Sequence, residues 1–468
     1  MVLELVRPEV ARGERYTMAG DLAAQVAGEV IAPGHVEYDA ARKVWNRAVD
    51  RFPGLIVRAA GAMDVAHAVR FARAHDLPLA VRSGGHSVAG QSTIDDGMVI
   101  DVSRLKGMTV DPQRRLARAQ AGLTWGEYAA HAHTYGLATP AGDSATVGVA
   151  GLALGGGIGW LVRKHGMTID HLRSVQVVTA DGRLVQASED VHPDLFWALR
   201  GGGGNFGVAT EFEFRMQPVD TVLGGAIVLP AEPEVLAAYA QAAAEAPEEL
   251  STIASVMAAP PLPFIPAGMH GSLVFVILVC YAGDPEAGAR AVAPLRNIAI
   301  PLGEMVAPMP YPALFQITAE GAVSRPHSVR SAFLNRLGRD EAETIVELAR
   351  RRTSPFAMAQ VRVLGGEMAR VPAGATAFAH RDKPVMFTAI NAWPDEAEAA
   401  PHVAWTEAFW RAMRPYANGA YVNFLAEDGA ERIREAYLGA TYERLVAVKR
   451  RYDPANFFRG NQNIRPDA

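Results

Sequence analysis

The hydrophobic and polar positions of this chain follow two periods, which predicts a mixture of helices and strands. Apolar residues at helical spacing predict a helix over Met63–Asp76, between strand-like runs at Gly54–Arg58 and Leu77–Val81. Further helices are expected at Trp125–Tyr135, Asp194–Leu199, Val235–Ala246, Ala287–Ile298, Thr406–Tyr416 and Ile433–Tyr452. Further strands are expected at Met98–Val102, Leu116–Ala121, Ser174–Ala180, Arg183–Ala187, Thr210–Met216, Val222–Leu229, Thr252–Ala258, Leu273–Tyr281, Met358–Leu364 and Val385–Trp393. This mixture is typical of an α+β fold, with an antiparallel sheet in the second half.

Length and charge narrow the classes of partner. The chain has 468 residues, enough for two or three domains, and 50% of them are hydrophobic. A net charge of −5 gives no reason to expect nucleic acid or an anionic membrane as a partner. Met1–Asp21 has no apolar core of a secretory signal, and Val147–Leu161 is too short and too glycine-rich to span a membrane. We therefore expect a cytoplasmic protein.

Cysteine and histidine usage argues against a metal site. The one cysteine, Cys280, lies inside the apolar run Leu273–Tyr281, so an intrachain disulfide and a cysteine-rich zinc site are excluded. A buried, inert thiol is the expected state of Cys280. His131 and His133 are two residues apart on a predicted helix and point to different faces. No metal site is expected.

Three glycine-rich segments carry the candidate chemistry. The first, Val81–Gly90, follows a predicted strand and places His86 after two glycines. Such a loop is either a tight turn with an incidental histidine or a nest of backbone N–H groups for an anionic group. The second, Thr139–Gly159, contains seven glycines, so we expect no stable helix there but a backbone lying flat against a large planar or phosphorylated ligand. In the third, Gly201–Val208, a formal GxGxxG match precedes a strand instead of a helix, which argues against a Rossmann site.

These segments, together with the tail Tyr452–Ile464, resemble the berberine-bridge-enzyme-like oxidoreductases of the vanillyl-alcohol-oxidase/p-cresol-methylhydroxylase (PCMH) flavoprotein superfamily. The resemblance is strongest over residues 50–216 and 418–464. It implies a PCMH-type FAD-binding domain formed by residues 1–217 and 425–468. An inserted α+β substrate domain, residues 218–424, would be built on an antiparallel sheet and cover the flavin ring.

The resemblance also implies which residues hold FAD. In the family the loop matching Val81–Gly90 wraps the pyrophosphate, and its histidine is bonded to the flavin 8-methyl group. Carried over, His86 is the covalent link. The implied cofactor contacts are Arg82, Ser83, Gly84, Gly85, His86, Ser87, Gly90, Gly142, Asp143, Ser144, Thr146, Val147, Gly148, Gly151, Gly157, Gly207, Val208, Asn461 and Asn463.

Two positions refine this expectation. Many family members bind the flavin a second time through a cysteine, and Ser144 stands in its place here, so a single link through His86 is expected. Val147 matches a position at which a small residue accompanies the reaction of reduced flavin with dioxygen. It favours an oxidase, although a valine that merely packs is the alternative.

The segment Gly419–Phe424 resembles the tyrosine-bearing strand of the family, so Tyr421 is the candidate catalytic base. A tyrosine with a pKa near about 10 needs a positive neighbour or a hydrogen-bond donor to act at neutral pH. Asn423 would share its face of a strand and orient it. A half-buried strand aromatic is the alternative for Tyr421. His380, Arg381, Thr388, Asn391 and Trp393 are further candidates for the pocket wall.

The expected activity is that of an FAD-dependent oxidase. It would take a hydride from a CH–OH or CH–NH carbon of a small polar organic molecule, such as a sugar, an alcohol, an alkaloid-like amine or a secondary metabolite, and reduce dioxygen to hydrogen peroxide. The alternatives are a dehydrogenase with another acceptor, a catalytically silent flavin-binding protein, and a phosphate binder without flavin. Neither the substrate nor the oligomeric state follows from the sequence.

Overall fold

The computed structural model describes residues 18–394, 397–426 and 429–467. Residues 1–17 lie outside the described residues. They begin the predicted FAD-binding domain, and they include most of Met1–Asp21, the stretch that was compared with a secretory signal. The α-helices are α1 (Tyr38–Arg42), α2 (Ala62–Ala74), α3 (Trp125–His133), α4 (Val149–Gly155), α5 (Val162–His165), α6 (Pro193–Leu199), α7 (Pro233–Glu245), α8 (Pro285–Arg296), α9 (Leu314–Ile317), α10 (Arg339–Arg350), α11 (Glu367–Arg370), α12 (Ala399–Met413), α13 (Gly429–Ala436) and α14 (Ala440–Tyr452).

The strands form two larger sheets beside two smaller ones. They are β1 (Glu29–Ile31), β2 (Leu55–Arg58), β3 (Leu79–Arg82), β4 (Met98–Asp101), β5 (Met108–Asp111), β6 (Leu116–Gln120), β7 (Leu137–Ala138), β8 (Leu172–Val178), β9 (Leu184–Ser188), β10 (Val208–Arg215), β11 (Gln217–Pro218), β12 (Thr221–Pro230), β13 (Leu250–Ala258), β14 (Leu273–Tyr281), β15 (Gly303–Pro310), β16 (His327–Leu334), β17 (Met358–Val363) and β18 (Val385–Ala392). The sheet orders are β1-β2-β4-β3, β5-β6-β10-β8-β9, β11-β7 and β15-β12-β14-β13-β17-β18-β16. Strands β2 and β3 flank β4 in parallel, whereas the five-stranded and seven-stranded sheets are antiparallel throughout.

The central strands of the seven-stranded sheet are buried on both sides. Helices cover one face, and the other face, which we call the open face, borders a cavity. In β14, Phe275, Ile277 and Val279 belong to the core that the sheet shares with α7, α8, α10 and α12, while Val276 and Leu278 point to the open face. Burial of both faces explains why β14 is a continuous apolar run and does not alternate. Cys280 is fully buried in this strand, and burial raises the pKa of its thiol, as expected of an inert side chain.

Most of the predicted elements are present, and the predicted α+β class is confirmed. The hairpin β8–β9 turns at Gly182, whose φ of +75° requires glycine. Strand β10 follows the third glycine-rich segment, so the argument against a Rossmann site is confirmed. The division into domains at residues 217 and 424 stays a prediction. Within the described ranges, no helix is long and apolar enough to cross a membrane.

Three expectations about local structure were wrong. The second glycine-rich segment contains helix α4, because Val149, Ala153 and Leu154 bury its inner face and tertiary packing outweighs the low helix propensity of glycine. The predicted helix Ile433–Tyr452 is two helices, α13 and α14, separated at Gly439 with a φ of +48°. Strands β15 and β16 and helix α10 were missed altogether.

Candidate functional site

A cavity of about 1500 Å³ lies between the glycine-rich segments and the open face of the seven-stranded sheet. We call it the central cavity. One wall is backbone from the three glycine-rich segments and the C-terminal tail. The other wall is formed by side chains of all seven strands of that sheet, β12 to β18. A cavity with one peptide wall and one side-chain wall suits a large planar cofactor with a substrate on its far side.

Most of the residues predicted to hold a cofactor meet in this cavity. Its wall includes Ser83, Gly84, Gly85, His86, Ser87, Gly142, Asp143, Ser144, Val147, Gly148, Gly151, Gly207, Val208 and Asn461, together with the proposed catalytic pair Tyr421 and Asn423. These residues come from five parts of the chain that the fold brings together. The candidate site therefore rests on several segments rather than on one motif.

Five of the predicted residues lie behind the wall. Arg82 pairs with Asp101 across β3 and β4, with 2.5 Å between Arg82 Nη2 and Asp101 Oδ2. Gly90 packs on Val49, Gly157 packs on Thr168, and Thr146 contacts the outer side of His86. The Asn463 side chain is turned away from the cavity, and its Oδ1 is buried without a hydrogen-bond partner among the described residues.

The first two glycine-rich segments touch backbone to backbone. A Cβ at Gly84 would lie 2.4 Å from the nitrogen of Gly148, and a Cβ at Gly148 would lie 2.3 Å from Ser83 Oγ. Neither position has room for a side chain. The two glycines thus let Ser83–Ser87 and the start of α4 form one continuous surface.

This surface offers unused hydrogen-bonding groups, which fits FAD. Within the described chain, the N–H groups of Gly84, Gly85, His86 and Ser87 donate to no protein acceptor. Such a series of N–H groups is the kind of nest that binds phosphate oxygens. Across the cavity wall, Ser144 Oγ and Asn461 Oδ1 are buried with no partner among the described residues. Because buried polar atoms are normally satisfied, these orphans indicate a polar ligand.

His86 is held by two neighbours. Its Nε2 lies 2.8 Å from Thr146 Oγ1, and its ring stacks on Trp45 with ring centroids 5.1 Å apart. Trp45 in turn stacks on His327 at 3.9 Å. Burial, and then the nearby His327, lowers the pKa of His86 to about 4, so its imidazole is neutral at physiological pH. No described residue bonds to its Nδ1.

Tyr421 lies where the wall formed by the glycine-rich segments meets the seven-stranded sheet. Its Oη accepts hydrogen bonds from the N–H of Gly157, at 2.7 Å, and from Asn423 Nδ2, at 2.9 Å. The predicted pairing of Tyr421 with Asn423 is present, but residues Val422–Phe424 form a 3₁₀ turn and not a strand. Burial raises the pKa of Tyr421 to about 12, against the opposing effects of these two donors and of Arg362.

Sequence reasoning missed the polar group on strand β17. Arg362 donates from Nη2 to Asp143 Oδ2, at 2.9 Å, and from Nε and Nη2 to Gln360 Oε1, at 3.0 and 2.8 Å. Gln360 and Arg362 are both buried, and both line the cavity. A signal was present, because glutamine and arginine alternate with apolar residues in a run otherwise suited to a buried strand.

The remaining pocket candidates are structural. Asn391 bonds to Thr353 Oγ1, Trp393 stacks on His402, and Thr388 is buried outside the cavity wall. His380 bonds through Nε2 to the carbonyl of Glu435, and Arg381 forms a buried ion pair with Asp170. His131 is exposed, and the half-buried His133 lies with its Nδ1 3.4 Å from Asp220 Oδ1. These residues stabilise the fold around the site and do not line it.

Comparison with known proteins agrees with this geometry. A model of an FAD binding domain matches residues 53–188, and a model described as berberine and berberine like matches residues 420–465. The chain is 32% identical to (R)-6-hydroxynicotine oxidase of Paenarthrobacter nicotinovorans over 459 residues, which cover 95% of this chain and 98% of that protein. It is 30% identical to an FAD-linked oxidoreductase of Dictyostelium discoideum, with 94% and 95% coverage.

Solved structures show the same architecture. The crystal structure of 6-hydroxy-D-nicotine oxidase from Arthrobacter nicotinovorans matches with a TM-score of 0.83 at 29% identity and covers 94% of this chain and 98% of that one. A chitooligosaccharide oxidase matches with a TM-score of 0.85 at 23% identity, which shows the shared fold, over 96% of this chain and 100% of that one. The expected PCMH-type fold is therefore confirmed. The chain belongs to the berberine-bridge-enzyme-like family of FAD-linked oxidoreductases.

Proposed function

We propose that this protein is an oxidase that removes a hydride from a CH–OH or CH–NH carbon of a small organic substrate and passes the electrons to dioxygen, giving hydrogen peroxide. The observation that carries the proposal is the position of Tyr421. Its buried hydroxyl lies where two walls of the central cavity meet. The glycine-rich wall, which we call the cofactor wall, would hold the cofactor, and the wall formed by the seven-stranded sheet would face the substrate. Two donors orient the hydroxyl. A proton acceptor is needed at that junction when a hydride leaves the neighbouring carbon.

Bound FAD would supply the hydride acceptor. The residues of this chain that would hold it are the N–H groups of Gly84–Ser87, the backbone of Gly203 and Gly204, and the side chains of Ser144 and Asn461. The start of α4 would lie along the same ligand. Asn461 is itself fixed, since its Nδ2 donates to the carbonyls of Gly204 and Phe458 at 3.1 and 3.2 Å.

The contacts of His86 support a covalent link through Nδ1. If Nε2 donates its hydrogen to Thr146 Oγ1, the lone pair rests on Nδ1, and the low pKa keeps it available. Through Nδ1, His86 would hold the flavin at its 8-methyl carbon in place of one C–H hydrogen. The two electrons released, with one proton from the methyl group and one from the imidazolium, would reduce dioxygen to hydrogen peroxide. Because Cys280 is buried in β14 away from the cavity wall and Ser144 replaces the expected cysteine, the link is single.

Tyr421 would receive the proton of the substrate O–H or N–H at Oη. The N–H of Gly157 and the amide of Asn423 both donate to that oxygen, and they stabilise its deprotonated form. Arg362 adds a positive charge in the same region. A pKa of about 12 nevertheless leaves little phenolate at neutral pH, so the proton transfer is expected to quicken as the pH rises.

Val147 supports dioxygen as the acceptor. It is half-buried between Thr146 and Gly148 and lines the cavity, and a valine is a small residue of the kind that would leave dioxygen access to the flavin. The relatives called oxidases agree in kind with this proposal. A dehydrogenase that uses another acceptor is the competing function.

Photoreduction of the purified flavoprotein without oxygen, followed by admission of air, separates the two. An oxidase regains its flavin absorbance within seconds to minutes and forms one peroxide per flavin. A dehydrogenase stays reduced in air and is reoxidised only by an added dye. A protein purified without flavin would contradict both.

A further inference from the structure

We infer that the substrate is an alcohol or amine with a hydrocarbon body and one polar group at the carbon that is oxidised, and not a sugar. This inference rests on the proposed function, since it concerns the same cavity. It is carried by the order of side chains on the open face of the seven-stranded sheet, which is apolar at one end and polar at the other.

The apolar end is one continuous row across four strands. Met257 lies opposite Met358, Met358 lies opposite Ile390, and Ile390 lies opposite Val329. We call these four residues the outer row, and all four line the cavity. Met257, Met358 and Ile390 stay partly accessible although their strands are otherwise buried. The outer row therefore presents a flexible hydrocarbon surface of two thioethers and two branched side chains.

The next row inward is mixed. Val276 lies opposite Ser255, and Ser255 lies opposite Gln360. One further step along β17 stands Arg362, which reaches the glycine-rich segment through Asp143. Polarity thus increases from the outer row towards the wall that would hold the flavin.

The outer row lies at the entrance of the cavity. Strand β13 continues from Met257 into the segment 258–265, and Pro261, Leu262, Pro263 and Phe264 all line the cavity. Leu262 is also 41% exposed, so the cavity meets solvent at this segment. A substrate that enters here passes apolar side chains first, and only its leading group reaches the polar end.

The polar end can satisfy one small polar group. Gln360 is 9% exposed, and its Oε1 is occupied by two donors from Arg362. Its Nε2 donates to no acceptor among the described residues, so its two N–H donors, with the hydroxyl of Ser255 beside them, are left for a substrate oxygen or nitrogen. The charge of Arg362 is already balanced by Asp143. A sugar would bring several hydroxyls to the outer row, and each hydroxyl buried there without a partner weakens binding.

The test is flavin reduction without oxygen by two sets of probes, with the purified flavoprotein. Benzyl alcohol, cinnamyl alcohol and benzylamine form the apolar set, and glucose and cellobiose form the sugar set. We expect the rate constant of flavin reduction divided by the dissociation constant of the probe (kred/Kd) to be about tenfold or more higher for the best apolar probe than for either sugar. Met358→Gln should lower that advantage about tenfold with flavin content unchanged, whereas Met63→Gln, at an exposed site on α2, should leave it unchanged.

Faster reduction by a sugar overturns the inference, as does an unchanged advantage in Met358→Gln. If no apolar probe reduces a flavin that bleaches in light and recovers in air with peroxide, the substrate class is wrong while the oxidase function stands. If the photoreduced flavin does not recover in air although benzyl or cinnamyl alcohol reduces it, the substrate class stands and dioxygen is the wrong acceptor.

Discussion

Arg362 and Asp143 join the two walls of the central cavity, with 2.9 Å between Arg362 Nη2 and Asp143 Oδ2. The arginine belongs to the seven-stranded sheet, and the aspartate belongs to the second glycine-rich segment. Arg362 is buried and Asp143 is only partly exposed, so water screens the pair weakly. The pair therefore fixes the seven-stranded sheet relative to the second glycine-rich segment.

Loss of both members of this pair should destabilise the protein by less than the sum of the two single losses. Asp143→Ala leaves a buried guanidinium without its carboxylate and should lower the free energy of unfolding by about 2–3 kcal/mol. Asp143→Ala combined with Arg362→Met should lose less than the sum of the single variants, measured by denaturant unfolding of the flavoprotein. Glu343→Ala, which removes an exposed partner of Arg339, is the control and should cost less than about 0.5 kcal/mol. Additive losses at residues 143 and 362 would mean that the two side chains act independently.

Gly148→Ala should remove the cofactor surface. The new Cβ would lie within 2.4 Å of Ser83 Oγ and the nitrogen of Gly84, so the two glycine-rich segments would have to separate. We expect flavin content, read from the visible spectrum, to fall by about tenfold or more relative to wild type. Gly61→Ala is the matched control, because nothing lies within 4 Å of its Cβ. Full flavin content in Gly148→Ala would show that the contact between the segments is not needed for binding.

Tyr421→Phe should slow flavin reduction by substrate by about 100-fold or more and leave flavin content unchanged. Because burial raises the pKa of Tyr421 to about 12, the wild-type reduction rate should rise with pH up to that value, and the variant should show no such rise. Stopped-flow reduction without oxygen, across a pH series, measures both effects. Tyr128→Phe is the control, since Tyr128 is equally buried and hydrogen-bonded but lies outside the cavity wall. A pH rise that persists in Tyr421→Phe would assign the base to another residue.

Acid should destabilise the protein through buried histidines. Burial lowers the pKa of His327 from 6.5 to about 4, and it lowers that of His165 to about 4 as well. The unfolded chain then binds more protons than the folded one between these values, so the stabilisation present above pH 6.5 is lost as the pH falls towards 4. The Tm should fall over this window, and less steeply in His327→Gln than in wild type or in the exposed-site variant His75→Gln. If the Tm falls equally steeply with pH in all three proteins, His327 does not cause the loss of stability.

The elements that were predicted well from the sequence are those whose conformation is determined by residues adjacent in the sequence. Strand β3 and the loop after it follow from a short apolar run and two glycines, and the first two glycine-rich segments do meet. Helix α4 could not be predicted, because its glycines are tolerated only where the rest of the fold packs on it. Gly155 shows this, since a Cβ there would lie 1.9 Å from Asn423 Oδ1, far along the chain.

The contacts that define the site are the long-range ones. Tyr421 meets Gly157 across 264 residues, and Arg362 meets Asp143 across 219. The periodicity of a single segment does not reveal contacts between distant residues. The sequence therefore predicted a strand that contains Gln360 and Arg362 but gave them no role in the site. Tyr421 and Asn423 were nominated together, and they touch, but they do so through a turn that the strand pattern did not indicate.

The measurement that tests the central claim most directly is acid precipitation of the purified protein, followed by flavin fluorescence of the pellet and the supernatant. A flavin bonded to His86 remains with the precipitated chain, so the wild-type pellet should be yellow and fluorescent. His86→Ala should bind flavin through the same glycine-rich surface and release all of it to the supernatant. Wild-type flavin that appears in the supernatant, or a His86→Ala pellet that keeps its fluorescence, would contradict the proposed link.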